Sequence, residues 1–184
     1  MNTANKITIS RICLIPLFLL SMSPLISWLP YNVYIATAIF VLAAATDKLD
    51  GYVARKYNQV TNLGKLLDPL ADKLLISAAL IMLVQEQKLS SWIAVVIIGR
   101  EILITAIRIM GAMRRIVLAA DRYGKLKLVL QVAGIAAVLL DNYPFALFTP
   151  LPVHQLTIFA AVILTLYSGF NYIRNNYKLL ELHT

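Results

Sequence analysis

Six apolar stretches alternate with short polar ones along the chain. Residues 1–11 are polar and carry Lys6 and Arg11, and an apolar run over 12–28 follows, broken by Pro16 and Pro24. Further apolar stretches cover about 32–56, 64–84, 91–113, 123–140 and 154–172. The polar connections are 57–63, 85–90, 114–122 and 141–153, the last holding Pro144, Pro150 and Pro152. About 20 mainly apolar residues suffice for a helix to cross the hydrocarbon layer. The pattern therefore predicts an all-α integral membrane protein of six transmembrane helices. A basic start before an apolar core also describes a secretory signal peptide, but the five later spans favour a retained first helix. Trp28, Tyr31 and Tyr34 mark the far interface, as aromatic belts do.

Composition agrees. Of 184 residues, 60% are hydrophobic and 14% charged, against roughly 45–50% and about 25% in soluble domains. The chain reads as one membrane domain over 1–184. Its net charge of +8 does not point to nucleic acid, because the cations fall mostly between the spans. That distribution suits anionic headgroups and sets topology. The one cysteine, Cys13, has no internal partner for a disulfide. His154, read as a loop residue, and His183 are solvated bystanders in this reading.

An even number of spans puts both termini on one side. That side holds Lys6, Arg11, Arg55, Lys56, Lys65, Arg114, Arg115, Arg122, Lys125, Lys127, Arg174 and Lys178, against Lys88 alone on the other. The positive-inside rule makes it cytoplasmic.

The chemistry lies around the second connection. Residues 47–55 read D-K-L-D-G-Y-V-A-R, and residues 64–72 read G-K-L-L-D-P-L-A-D. Asp47 with Asp50, and Asp68 with Asp72, are spaced to share one face of each helix. A short link makes the two helices antiparallel, which brings the four acids together. Such a cluster is costly at membrane depth unless divalent cations neutralise it. Mg2+ is the usual ion where a substrate phosphate completes the shell. Gly51, Ala54 and Gly64 leave room beside the acids, and Arg55 can offer a phosphate its bidentate fork. Together they describe a metal-assisted site for a nucleotide diphosphate. At about 1.5 Å per residue, Asp50 lies roughly 9 Å from Lys56 and Asp72 roughly 12 Å from Gly64, a shallow cavity open to the cytoplasm.

Arg108 stands inside the fourth span at similar depth, with Lys125 and Lys127 near the same face. A charge within a span is costly, so Arg108 is read as a ligand for an anionic second substrate. Lys125 and Lys127 fit that role and plain positive-inside topology equally. Arg100 and Glu101 are read as structural, answering Lys48 or another helix.

The spacing D-x2-D-G-x2-A-R-x8-G-x3-D-x3-D resembles the signature of the CDP-alcohol phosphatidyltransferases at every defining position. The opening N-K-I-T-I-S-R, the R-E-x6-R of the fourth span and the G-K-L-K of the fifth are similar to the bacterial phosphatidylglycerophosphate synthases within that family. The resemblance implies transfer of the phosphatidyl group from CDP-diacylglycerol to sn-glycerol 3-phosphate, giving phosphatidylglycerol phosphate and CMP. It implies two divalent ions, Mg2+ with Mn2+ as the alternative, and a homodimer in the bacterial cytoplasmic membrane. By position, it makes Asp47, Asp50, Asp68 and Asp72 metal ligands, with Asp72 also the general base. Gly51, Ala54, Arg55 and Gly64 would hold the CDP group, joined by Asn5 and Thr8. Arg11 would join Arg108, Lys125 and Lys127 at the acceptor phosphate. Inositol phosphate or serine as acceptor is the nearest alternative. A cation transporter using the same acids is a further one, which predicts acids along a whole path across the bilayer.

Overall fold

The computed structural model describes residues 3–26, 28–29, 31–56, 62–113 and 123–181; for 3–8, 47–56, 62–69, 123, 125 and 178–181 it describes the backbone alone. Six helices make up the described chain: α1 (Thr3–Met22), α2 (Asn32–Lys56), α3 (Asn62–Gln85), α4 (Ser91–Met113), α5 (Tyr123–Leu139) and α6 (Val153–Glu181). No strand occurs among the described residues.

Three boundaries differ from the sequence expectation. Helix α1 begins inside the polar opening and stops at Met22, not Trp28. The residue before a proline is driven out of the helical region, so Ser23 ends the helix and Pro24–Ile26 form a 3-10 turn. Helix α6 runs to Glu181, past the expected end at residue 172, because no proline or glycine interrupts 173–181. His154 is no loop residue: it stands in the first turn of α6, where its backbone N–H donates to Asn142 Oδ1 at 3.1 Å.

Among the described residues, Val153–Tyr177 is the one helix long and apolar enough to cross a membrane, while Ile9–Met22, Asn32–Thr46 and Leu126–Leu139 are shorter apolar helices. Within α4, Arg100, Glu101 and Arg108 interrupt the apolar run. The surface is apolar along all six helices, with Leu20, Leu42, Ile81, Ile102, Val129 and Ile163 exposed. Apolar surface spread this widely fits a lipid surround better than water.

Helix α1 packs most closely on α2, and α5 on α6. Phe18 and Phe40, both fully buried, meet at 5.9 Å between ring centroids and join the first pair. Buried Ala36, Ala43, Ala71, Ala79, Ala94 and Ala161 let helices approach closely, as small residues do in membrane bundles. Gly134 of α5 brings two helix backbones together, since a Cβ there would lie 3.2 Å from the Ile158 Cα of α6.

One end of the bundle gathers three connections. Lys88 of the α3–α4 turn pairs with Asp141 after α5 at 2.6 Å. Tyr34 near the start of α2 meets the Tyr143 ring edge-on at 6.4 Å. A polar pocket of about 160 Å³ joins Pro24 and Asn32 to Glu86 and Lys88. Exposed Trp28, Tyr31, Tyr34, Trp92 and Phe148 surround this end. The α2 end, the α3 start, the α4 end and the α5 start therefore lie at the opposite end, with the start of α1 and the end of α6.

Candidate active site

Helix runs without a break through Asp47–Lys56 and Asn62–Asp72, so the three- and four-residue spacings place each acid pair on one helix face. Because α3 begins at Asn62, Asp72 lies ten residues into it, about 15 Å along the axis. The side chains of Asp47, Asp50, Gly51, Ala54, Arg55, Gly64 and Asp68, and those of Asn5, Thr8 and Lys125, lie outside the described ones. Among the described residues no group of three metal-ligating side chains occurs, Asp72 being the one motif acid included. The donor set still suits a hard divalent cation: four carboxylates, on two helices that pack together and are linked by residues 57–61.

Arg11 is brought directly to this site. Its side chain is fully buried, and Nε donates to Thr46 Oγ1 at 3.3 Å. Thr46 immediately precedes Asp47 and donates its own proton to Ala43 O at 2.7 Å.

The cations of α4 and α5 form a separate polar ladder, which climbs α6 turn by turn from Gly134 and Ile158. First, Gln131 Nε2 donates to Thr165 Oγ1 at 3.0 Å, both residues buried. Next, the Lys127 ammonium donates to Glu101 Oε1. Arg100 shares that oxygen from Nη1 at 3.4 Å and donates from Nη2 to Ser168 Oγ at 2.8 Å. Gly169 makes room for this crossing, since a Cβ there would lie 3.1 Å from Arg100 Cγ. Last, the Arg108 guanidinium lies over the Tyr172 ring, 5.3 Å from its centroid, a cation–π contact. Arg100 thus answers α6 as well as Glu101, while Lys48 has no described side chain. Arg108 and Glu101, though on one helix face, have different partners.

Lys73 and Tyr172 are among the participants that the sequence alone did not single out. Lys73, next to Asp72, donates to the Thr105 hydroxyl, which in turn donates to Glu101 O at 2.6 Å. A charge inside a span next to a motif acid was the available signal, the same one that singled out Arg108. Tyr172 carried no such signal, because its part depends on which helix faces α4.

Two apolar grooves of about 400 and 410 Å³ run along the outer side of α3 and α4 and share Ile98 and Ile102. Leu70, Lys73, Leu74 and Ser77 line the second. At 100° per residue Asp72 points to the other side of α3, so neither groove belongs to the acid site.

A family model, CDP-alcohol phosphatidyltransferase, matches residues 1–167. The chain is 42% identical to the CDP-diacylglycerol–glycerol-3-phosphate 3-phosphatidyltransferase of Bacillus subtilis, over 98% of this chain and 97% of that one. It is 34% identical to the protein of the same description from Rickettsia bellii, over 94% of each chain.

Proposed function

Because the chain belongs to the CDP-alcohol phosphatidyltransferase family, we propose that it transfers the phosphatidyl group of CDP-diacylglycerol to sn-glycerol 3-phosphate. The products are phosphatidylglycerol phosphate and CMP. The observation that carries the acceptor is the division of charge. The acids stand on α2 and α3, whereas Arg100, Arg108 and Lys127 outnumber Glu101 across α4 and α5. The four clustered carboxylates suit a metal-bound diphosphate even though α2 and α3 also carry Lys48, Arg55, Lys56, Lys65 and Lys73, and the surplus of cations over the one carboxylate of α4 and α5 suits a phosphorylated alcohol.

In this reading the whole chain is one membrane domain crossing the bilayer six times. The end that holds the acid motif and both termini faces the cytoplasm, in keeping with its twelve cations and the aromatic rim at the other end. Asp47, Asp50, Asp68 and Asp72 would hold the two divalent ions. When bound, such ions neutralise the diphosphate and the charge that develops on the leaving group. Gly51, Ala54 and Gly64 leave space for the CDP group beside the acids, with Asn5 and Thr8 near it, and Arg55 grips a phosphate. Arg108, Lys125, Lys127 and Arg11 receive the phosphate of the acceptor. Asp72 takes the proton from the acceptor hydroxyl as its oxygen attacks the β-phosphorus. The bond from that phosphorus to the bridging oxygen breaks, and CMP leaves with the bridging oxygen.

The test is CMP release by purified protein given CDP-diacylglycerol, Mg2+ and a panel of alcohols. Release with glycerol 3-phosphate is expected. Release with inositol phosphate or serine instead would replace the acceptor, and no release with any alcohol would overturn the reading.

A further inference from the structure

We propose that Glu101 is a positioning residue for the acceptor phosphate, acting by holding the Lys127 ammonium in place; this rests on the reading that Lys127 binds that phosphate. Lysine is a point charge on a flexible four-carbon stem, so its position must be set by what it touches. Lys127 is buried on α5, and Glu101 Oε1 accepts from its ammonium. Glu101 is itself held. Arg100 shares its oxygen and is tied to Ser168 on α6, where Gly169 leaves space for the guanidinium stem. The carboxylate therefore cannot follow the lysine if the lysine moves.

The same turn of α4 also reaches the acid site. Lys73 donates to the Thr105 hydroxyl, and that hydroxyl donates to the Glu101 carbonyl. Lys73 adjoins Asp72 in the chain. One turn of α4 thus fixes the acceptor's cation and the helix of the general base in a single frame. Glu101 is also the one carboxylate that α4 and α5 carry among Arg100, Arg108 and Lys127. It offsets part of their repulsion and still leaves net positive charge for a phosphate.

A double-mutant cycle tests this in the full chain, with Glu101→Gln, Lys127→Met and the pair together, and each substrate varied in turn. Glu101→Gln is expected to raise the acceptor KM about tenfold, the scale of a lost charge-assisted contact. The KM for CDP-diacylglycerol and kcat at saturating acceptor should hold within about threefold, the context scatter of such effects. The double variant should be no worse than Lys127→Met alone, because Glu101 acts through that lysine. Additive losses, or equal losses for both substrates, would assign Glu101 to helix packing and overturn the proposal. If Glu101→Gln does not fold, Glu101→Asp replaces it: charge is kept but reach is lost, so the acceptor KM must still rise. An unchanged acceptor KM in Lys127→Met would instead overturn the underlying reading of Lys127. A raised KM there with none in either Glu101 variant would overturn the positioning role alone.

Discussion

The Arg11 guanidinium of α1 donates to the hydroxyl of Thr46 on α2, the residue directly before Asp47. A fully buried arginine is thereby tied to the residue that leads into the first acid pair. Arg11→Ala removes a charge-assisted contact of about 1.5–3 kcal/mol. Steady-state assays of CMP release should then show roughly a ten- to hundredfold loss in kcat/KM. Arg11→Lys should recover part of it, since lysine keeps the charge and loses the fork. Wild-type rates in Arg11→Ala would limit Arg11 to joining α1 and α2.

The acids make a sharper prediction. An amide cannot replace an anionic oxygen ligand, so Asp50→Asn should abolish CMP release. Chelator should do the same to the native protein, with recovery on adding Mg2+. Full turnover in chelator would remove the metal from the proposed chemistry.

Arg108 is exposed, with its guanidinium over the Tyr172 ring. Its N–H edges are thus open to a phosphate while one face is held. Arg108→Ala should raise the acceptor KM strongly and leave that for CDP-diacylglycerol nearly intact, and Arg108→Lys should rescue it in part. Tyr172→Leu keeps the bulk but loses the ring quadrupole, worth about 0.5–1 kcal/mol at such sites, so only a few-fold rise is expected. A KM rise confined to CDP-diacylglycerol would move Arg108 to the nucleotide side.

The α5–α6 contact can be tested by stability. Gly134→Val adds atoms where a Cβ already meets Ile158 backbone at 3.2 Å. Overpacking of this kind costs about 1–3 kcal/mol, so thermal unfolding in detergent should shift downward. Gly99→Ala, with nothing within 4 Å of its added Cβ, is the matched control and should unfold no earlier than the native chain.

Topology has a direct readout. Gln87 is exposed in the α3–α4 turn, at the end away from the acid motif. In a Cys13→Ser background, which leaves no other thiol, Gln87→Cys should react with an impermeant reagent from outside intact cells. Labelling only after lysis would invert the orientation.

Alternation of apolar and polar residues determined the six helices by itself, with α2 and α4 at the expected bounds and α3 and α5 within two residues of them. Local chemistry sufficed because a helix satisfies its own backbone, so apolar length and breakers decide where it runs. The acid motif was legible for the same reason: its spacings of three and four become geometry as soon as the segment is helical. The ends of α1 and α6 were less so, since hydropathy does not say whether polar residues continue a helix. The structural role of Arg100 and Glu101 was legible, but which other helices they and Arg108 meet was not: Glu101 keeps Arg100 at 3.4 Å and also takes Lys127 of α5, Arg100 reaches Ser168 of α6, and Arg108 takes Tyr172. Those pairs depend on how α4, α5 and α6 rotate against one another. Close contacts such as Gly134 on Ile158 set that rotation, and they exist only once the helices have packed.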